Sequence, residues 1–316
     1  MVLHPSLLEL ATQAPLCNDI PTVRGVLAES QELMRNAIEH GEAPQELTQW
    51  FSSLIKDIFR SPAIRNLSNN GDSKANILFT GAISRGDALP SSEIIWLNVA
   101  QETNGTQANK QKQLRSLLKE AELQVGSLKK TKGATEFLSQ QQWENYIEKN
   151  KNNIQAHELA YYCDAGDWLL QHAQQHIDPR ILLVDAISQR PPALSKTLTG
   201  LPDKDTYIDI RKDLLHVIIA LARWAGMAAQ SPHTATLNRI DDARAAGVLS
   251  DLQSDYLREA WHAGLQLQMN RWANRVHNNA TTPEALSAIQ RSTFGAASRL
   301  VADVARSLAH EHNIEI

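Results

Sequence analysis

The segment "DLLHVIIALARWAGMAAQ", Asp213 to Gln230, constrains this fold more than any other stretch. It is apolar almost all the way round a helical wheel, so no face of it can be left to water. Such a helix belongs at the centre of a group of helices. Arg223 interrupts it, and its apolar run falls short of the roughly 20 residues that span a bilayer. Other helices must therefore cover it, and the sequence that follows supplies them. "TATLNRIDDARAAG" has a threonine cap, a leucine/isoleucine stripe and a terminal glycine. "SDLQSDYLREAWHAGLQLQMNRWANRV" reads as one long helix capped by serine. "TPEALSAIQRSTFGAASRLVADVARSLAHE" reads as another, with Pro283 near its first turn. Four helices with short connections predict a four-helix bundle over 191–316.

The N-terminal 70 residues are helical by the same signal. "TVRGVLAESQELMRNAIEHG" and "PQELTQWFSSLIKDIF" carry apolar stripes at helical spacing and meet at Gly41, which predicts an antiparallel hairpin. A polar break, "NLSNNGDSK", follows. The character then changes. "NILFTG" and "EIIWLNVA" are short β-branched and aromatic runs bounded by turn residues, which predict strands. "NKQKQLRSLLKEAEL" and "QQQWENYIEKN" return to helix, and "HELAYYCDAG" is a third strand candidate. The expected fold class is α+β and mostly helical. It comprises an N-terminal helical region (1–70), a small-sheet α/β domain with flanking helices (71–190) and the C-terminal helical bundle (191–316).

Composition narrows the function classes. The formal net charge of the 316 residues is −4, without a long basic run. Nucleic-acid backbone binders need a dense Lys/Arg face, so no nucleic-acid partner is expected. Cys17 and Cys163 are the only cysteines, which fits a reducing compartment. "MVLHPSLLEL" lacks the basic segment and long apolar core of a secretion signal. A cytoplasmic protein without a membrane partner is the expectation.

The stretch "FTGAISRGDALPSSEIIWLNV", Phe79 to Val99, carries the chemistry. A glycine at a strand end lets backbone N–H groups approach an anion. An arginine shortly after it offers a fork to phosphate oxygens. Acids spaced by two on the next strand share one side of the sheet and hold Mg²⁺ against a nucleoside triphosphate. The segment resembles the signature of a bacterial nucleotidyltransferase family related to the protein-PII uridylyltransferases. That signature runs Gly-Ser-x-Gly-Arg-x-Glu, then Thr-Asp-x-Asp. Here Gly81 and Arg85 match, while Ala82 and Ser84 replace the serine and second glycine. Asp87 stands for the glutamate, Ser92 for the threonine and Glu93 for the first aspartate. Ile95 occupies the position of the second aspartate.

The resemblance continues downstream. "YYCDAGD" is similar to a family Phe-Asp-x-Arg segment at Asp164, with Gly166 in place of the arginine. "YIDIRKD" matches an Asp-x-Lys segment through Asp209 and Arg211, and "TATLNRI" a Thr-x-x-Arg-Leu segment through Thr236, Arg239 and Ile240. The resemblance implies phosphate contacts from Gly81, Ser84, Arg85 and Ser92. It also implies Mg²⁺ held by Glu93 and Asp164, with Asp87 as a further catalytic acid, and substrate contacts from Asp209, Arg211, Thr236 and Arg239. It further implies a nucleoside triphosphate ligand and a regulatory protein as candidate partner.

Isoleucine cannot ligate Mg²⁺. The expected activity is therefore transfer of AMP or UMP to a hydroxyl of a protein or small molecule, impaired at Ile95. The alternative is a non-catalytic relative acting as a nucleotide sensor or interaction module. Elsewhere, His216 is expected to be a hydrogen-bonded core residue, the seven tryptophans to be mostly core, and Lys129, Lys130 and Lys132 to form a solvated turn. His310 and His312 are two positions apart and do not share a helix face.

Overall fold

The structure, a computed structural model, describes residues 3–67, 76–99, 105–126, 138–189, 208–276, 280–281 and 286–315. The chain divides into two compact units, Met1–Ile177 and Asp178–Ile316. Both are mostly helical. No helix among the described residues is long and apolar enough to cross a membrane.

In the first unit, α1 (Pro5–Gln13) and a short 3₁₀ turn (Ala14–Leu16) lead to the hairpin of α2 (Ile20–Glu39) and α3 (Pro44–Arg60). Asp19 caps α2, accepting from the Thr22 backbone N–H at 2.7 Å. Leu47, Phe51, Leu54, Ile55 and Ile58 recur every three or four residues along α3 and are buried. The short α4 (Pro62–Arg65) ends the helical start.

Strand β1 (Asn76–Thr80) pairs antiparallel with β2 (Ile95–Val99), in a register that sets Leu78 opposite Leu97 and Thr80 opposite Ile95. Between them lies a five-residue helix, α5 (Gly81–Arg85). Its last residue is followed by Gly86 at φ +78°, a backbone state that costs glycine little and reverses the chain within one residue. The sheet packs on α3 through Phe59, whose ring lies 4.9 Å from Phe79 and 5.6 Å from Trp96. Helix α6 (Gly105–Glu120) reaches back to β2. Trp96 Nε1 donates to Gln111 Oε1 at 2.6 Å, and Gln111 Nε2 donates to Asn98 Oδ1 at 2.6 Å. An isolated parallel bridge joins Ile94 to Val125, so Gly126 runs directly beside β2.

Helices α7 (Gln140–Asn150), α8 (Ala156–Ala165) and α9 (Asp167–His176) complete the unit. The strand expected at "HELAYYCDAG" is corrected here: it is α8. Leu159, Tyr162 and Cys163 are buried at helical spacing, and Glu158 Oε1 accepts from the Tyr162 hydroxyl one turn on, at 2.6 Å. Tyr146 of α7 donates to the same Oε1 at 2.9 Å. Burial, the hydrogen bond and the nearby carboxylate push the Tyr146 phenol up to about 12. Gly166, at φ +71° and ψ −163°, ends the helix in a conformation that is essentially glycine's alone.

The second unit comprises α10 (Arg180–Ser188), the two-residue strands β3 (Ile208–Asp209) and β4 (Ala280–Thr281), and a π-turn at Arg211–Leu215. Helices α11 (His216–Ala228), α12 (Thr236–Ala245), α13 (Asp251–Ala273) and α14 (Ala288–Glu311) form its bulk. Helix α11 is buried nearly throughout, as its composition requires, and α10, α12, α13 and α14 all pack on it. Ser250 and Ser287 open α13 and α14 with capping boxes closed by Gln253 and Gln290. Three local expectations are corrected. Helix α12 starts after Ala235 without a side-chain cap, because Thr236 lies inside the helix and is buried. Helix α14 starts at Ser287, and Pro283 falls outside the described residues. His216 is exposed, not core, because it faces outward at the start of α11 and meets Arg211 Nε at 3.3 Å. Lys129, Lys130 and Lys132 also lie outside the described residues.

Candidate functional site

Thr80, the last residue of β1, donates its hydroxyl to the Tyr161 carbonyl of α8 at 2.6 Å. That bond and the packing of α5 on α8 bring the end of the glycine turn against Asp164. Arg85 then meets two carboxylates. Its Nε donates to Asp87 Oδ2 at 2.8 Å and its Nη2 to Asp87 Oδ1 at 3.0 Å, a two-pronged contact. Its Nη1 donates to Asp164 Oδ2. All three side chains are buried, Asp164 completely. Burial alone would push the guanidinium pKa down, but the Asp164 and Asp87 charges more than offset this and raise it. The cluster is one cation between two anions, with its hydrogen-bonding directions turned inward.

The remaining residues of the motif lie on α5, in the segment that follows it and at the start of β2. Gly81 adopts φ +65° at the head of α5. Ser84 accepts from Lys56 Nζ through its carbonyl, at 3.4 Å. The Ser92 hydroxyl accepts from the Leu89 N–H at 3.0 Å, closing its own turn, and Ser52 of α3 does the same for Ala88 at 3.2 Å. Glu93 is exposed, just before β2. Ile95 is buried with its side chain beside Gly81 and Gly126. A Cβ on Gly126 would lie 2.4 Å from Ile95 Cγ1 and 2.8 Å from Glu93 Oε2. The position assigned to the second aspartate is thus filled by packed hydrocarbon.

A two-ion Mg²⁺ site needs several carboxylate oxygens turned toward one cavity. Here Asp87 and Asp164 are engaged by Arg85, Ile95 offers no oxygen and Glu93 stands exposed. These residues do not fit such a site.

A feature that the motif did not predict lies beside α5. A cavity of about 440 Å³ is lined by Lys56, Arg60, Arg65 and Lys110, by the β1 residues Ile77–Phe79, and by Ser84. Among the described residues, four cations and no acid line it, although Arg60 also pairs with Asp57 at 3.6 Å. Burial, reinforced by the Arg60 charge, holds the Lys56 ammonium below its usual pKa, and burial does the same at Lys110. The available sequence signal was the run of cations Lys56 and Arg60 at the end of α3 and Arg65 at the end of α4.

The residues expected to bind substrate in the second unit fall into two places. Asp209 caps the π-turn, accepting from the N–H groups of Arg211 and Lys212 at 3.0 Å each, while Asp213 accepts from the Asp209 N–H at 2.8 Å. Arg211 points to His216. Arg239 is not a solvated helix arginine. Only 2% of it is exposed, its Nε donates to the His233 carbonyl at 2.9 Å, and its stem lies across Gly226 of α11. Thr236 is buried one turn earlier on α12. Near them His233 Nδ1 and the Ser231 hydroxyl converge on Asp242 Oδ2 at 2.7 and 2.5 Å. Partial burial raises that carboxyl's pKa, and the two hydrogen bonds outweigh it, for a net lowering.

No curated protein matches the chain. Residues 182–312, less than half of the chain, match the family model described as "Putative nucleotidyltransferase substrate binding domain". The match lies within the second unit and supports the kinship of that unit with nucleotidyltransferase-related proteins.

Proposed function

We propose that this chain is a nucleotidyltransferase relative whose first unit binds a nucleoside triphosphate without transferring its nucleotidyl group. Ile95 carries the reading: a buried aliphatic side chain stands where metal-dependent transfer needs an acid. The triad of Arg85, Asp87 and Asp164 then serves as internal structure that fastens α5 to α8. Phosphates would be held in the neighbouring basic cavity. Its size falls in the range of ligand pockets, and its half-buried lysines gain from an anion what they lose by desolvation. The half-exposed apolar residues of β1 offer a surface for the base. Helices α11–α14 would form the four-helix bundle of the family's substrate-binding domain. In a sensor, that unit would engage a regulatory protein. Its cavity of about 630 Å³, lined by Arg180, Trp224, Glu311 and His312 among others, is the candidate contact.

Thermal melting with ATP, UTP, GTP and CTP, each with and without Mg²⁺, tests the proposal. A nucleotide at a hundred times its dissociation constant adds about 2.7 kcal/mol of stability. At least one is expected to raise the melting temperature without Mg²⁺, and Lys56→Ala with Arg65→Ala is expected to abolish the rise. The absence of any shift would remove nucleotide binding. A labelled, Mg²⁺-dependent transfer product would reinstate catalysis, with Glu93 as the exposed acid to mutate first.

A further inference from the structure

His172 and His176 stand one turn apart on α9, and Glu148 of α7 faces both. From this juxtaposition we propose that Glu148, His172 and His176 form a binding site for a divalent transition-metal ion, Zn²⁺ being the best match to two imidazoles and a carboxylate. None of the three belongs to the Arg85 triad or the basic cavity. Histidines at i and i+4 project from the same face of a helix, which is the spacing a chelate needs.

The distances suit the ion. Glu148 Oε1 lies 3.7 Å from His172 Nε2 and 3.6 Å from His176 Nε2, and the three donors lie within 4.8 Å of one another. Donors held tetrahedrally at ~2.0–2.2 Å from Zn²⁺ sit about 3.3–3.5 Å apart. The two carboxylate–imidazole distances therefore need to contract by only a few tenths of an ångström, and side-chain rotation can close the imidazole–imidazole gap. The imidazole rings are already side by side, with centroids 4.2 Å apart.

One ligand is oriented in advance. His176 Nδ1 lies 2.9 Å from the His172 carbonyl. Donating there fixes the tautomer and leaves the Nε2 lone pair for the metal, the usual outer-shell support of a ligating histidine. His172 Nε2 also lies 3.2 Å from the Glu144 carbonyl, and it exchanges that contact for the ion. The site is partly open. The side chains of His172 and His176 are 14% and 28% exposed and that of Glu148 is 53% exposed, so an ion can enter and water can take the fourth position. Metal binding would clamp α7 to α9.

Calorimetric titration of the full, tag-free chain with ZnCl₂ tests this, with Co²⁺ as the spectroscopic probe of geometry. One Zn²⁺ per chain is expected at pH 7.5, with Co²⁺ giving tetrahedral absorption bands. His176→Gln and Glu148→Gln should each weaken Zn²⁺ binding at least ~10-fold, since even outer-shell changes cost that much. His157→Gln, on exposed α8 surface, serves as the control and should leave binding unchanged. Binding should also weaken as the pH is lowered to 5.5, because protons compete with the metal for its nitrogen ligands. Far-UV circular dichroism and melting of each variant confirm that the fold persists. No binding by the parent chain, or equal binding by the His176 and Glu148 variants, would overturn the site. Loss in His176→Gln with full retention in Glu148→Gln would overturn the three-donor arrangement.

Discussion

Arg85 balances Asp87 and Asp164 in a space nearly closed to bulk water, so each charge depends on the others. Removing one partner of a buried ion pair leaves an uncompensated charge and typically costs about 3–5 kcal/mol. Asp164→Asn keeps the shape and a hydrogen-bond acceptor while deleting the charge, and should cost ~3 kcal/mol in urea unfolding. Replacing Arg85, Asp87 and Asp164 together by methionine, leucine and leucine should cost less than the three single changes added, because no charge of the triad is then stranded. If Asp164→Asn proves neutral for stability yet abolishes nucleotide binding, the triad is a ligand site and the structural assignment fails. The motif made Arg85 and Asp87 visible as a pair two residues apart. Asp164, 79 residues from Arg85, reached the same locus only through the family resemblance, and with a metal-ligand role. What the sequence could not convey is that α5 packs on α8, which turns an expected ligand set inward.

At the scale of elements, legibility followed burial pattern. Helices α2, α3 and α13 carry long one-sided or capped patterns and are found where their spacing put them. Helix α8 was misread because its ten residues are rich in aromatics that also suit strands, while its Leu159–Tyr162–Cys163 period is too short to dominate. Buried Arg239 was equally opaque. Its place depends on Gly226, one glycine in an apolar helix, where the missing Cβ makes room for the arginine stem. Adding that Cβ would bring it 2.7 Å from Arg239 Cγ and 3.0 Å from Cδ. Gly226→Ala should therefore destabilise by ~1–3 kcal/mol despite the better helix propensity of alanine. Gly25→Ala in α2 has nothing within 4 Å of the new methyl and should stabilise by ~0.4–1 kcal/mol. Thermal melts of the two variants should move in opposite directions. A gain at Gly226 would mean that Arg239 is free to leave its buried position.

For the whole molecule, the question is whether the second unit carries its own core. Its central helix, α11, buries Val217, Ile218, Leu221, Ala222, Trp224 and Met227, and the helices packed against it belong to the same unit. Chains of about 100–150 residues bury enough surface to fold alone, and Asp178–Ile316 falls in that range. The segment matched by the family model lies inside those bounds, as expected of an evolutionary module that folds independently. Expressed separately, 178–316 should be monodisperse and strongly helical by circular dichroism, and should melt in one cooperative transition. Its near-ultraviolet spectrum should keep the signal of the buried Trp224 and Trp261. Helical content without that tertiary signal, or dye binding typical of exposed apolar surface, would show that α11 is incompletely covered by its own unit. The core would then have to be sought across the whole chain, and the second unit would not be a separable module.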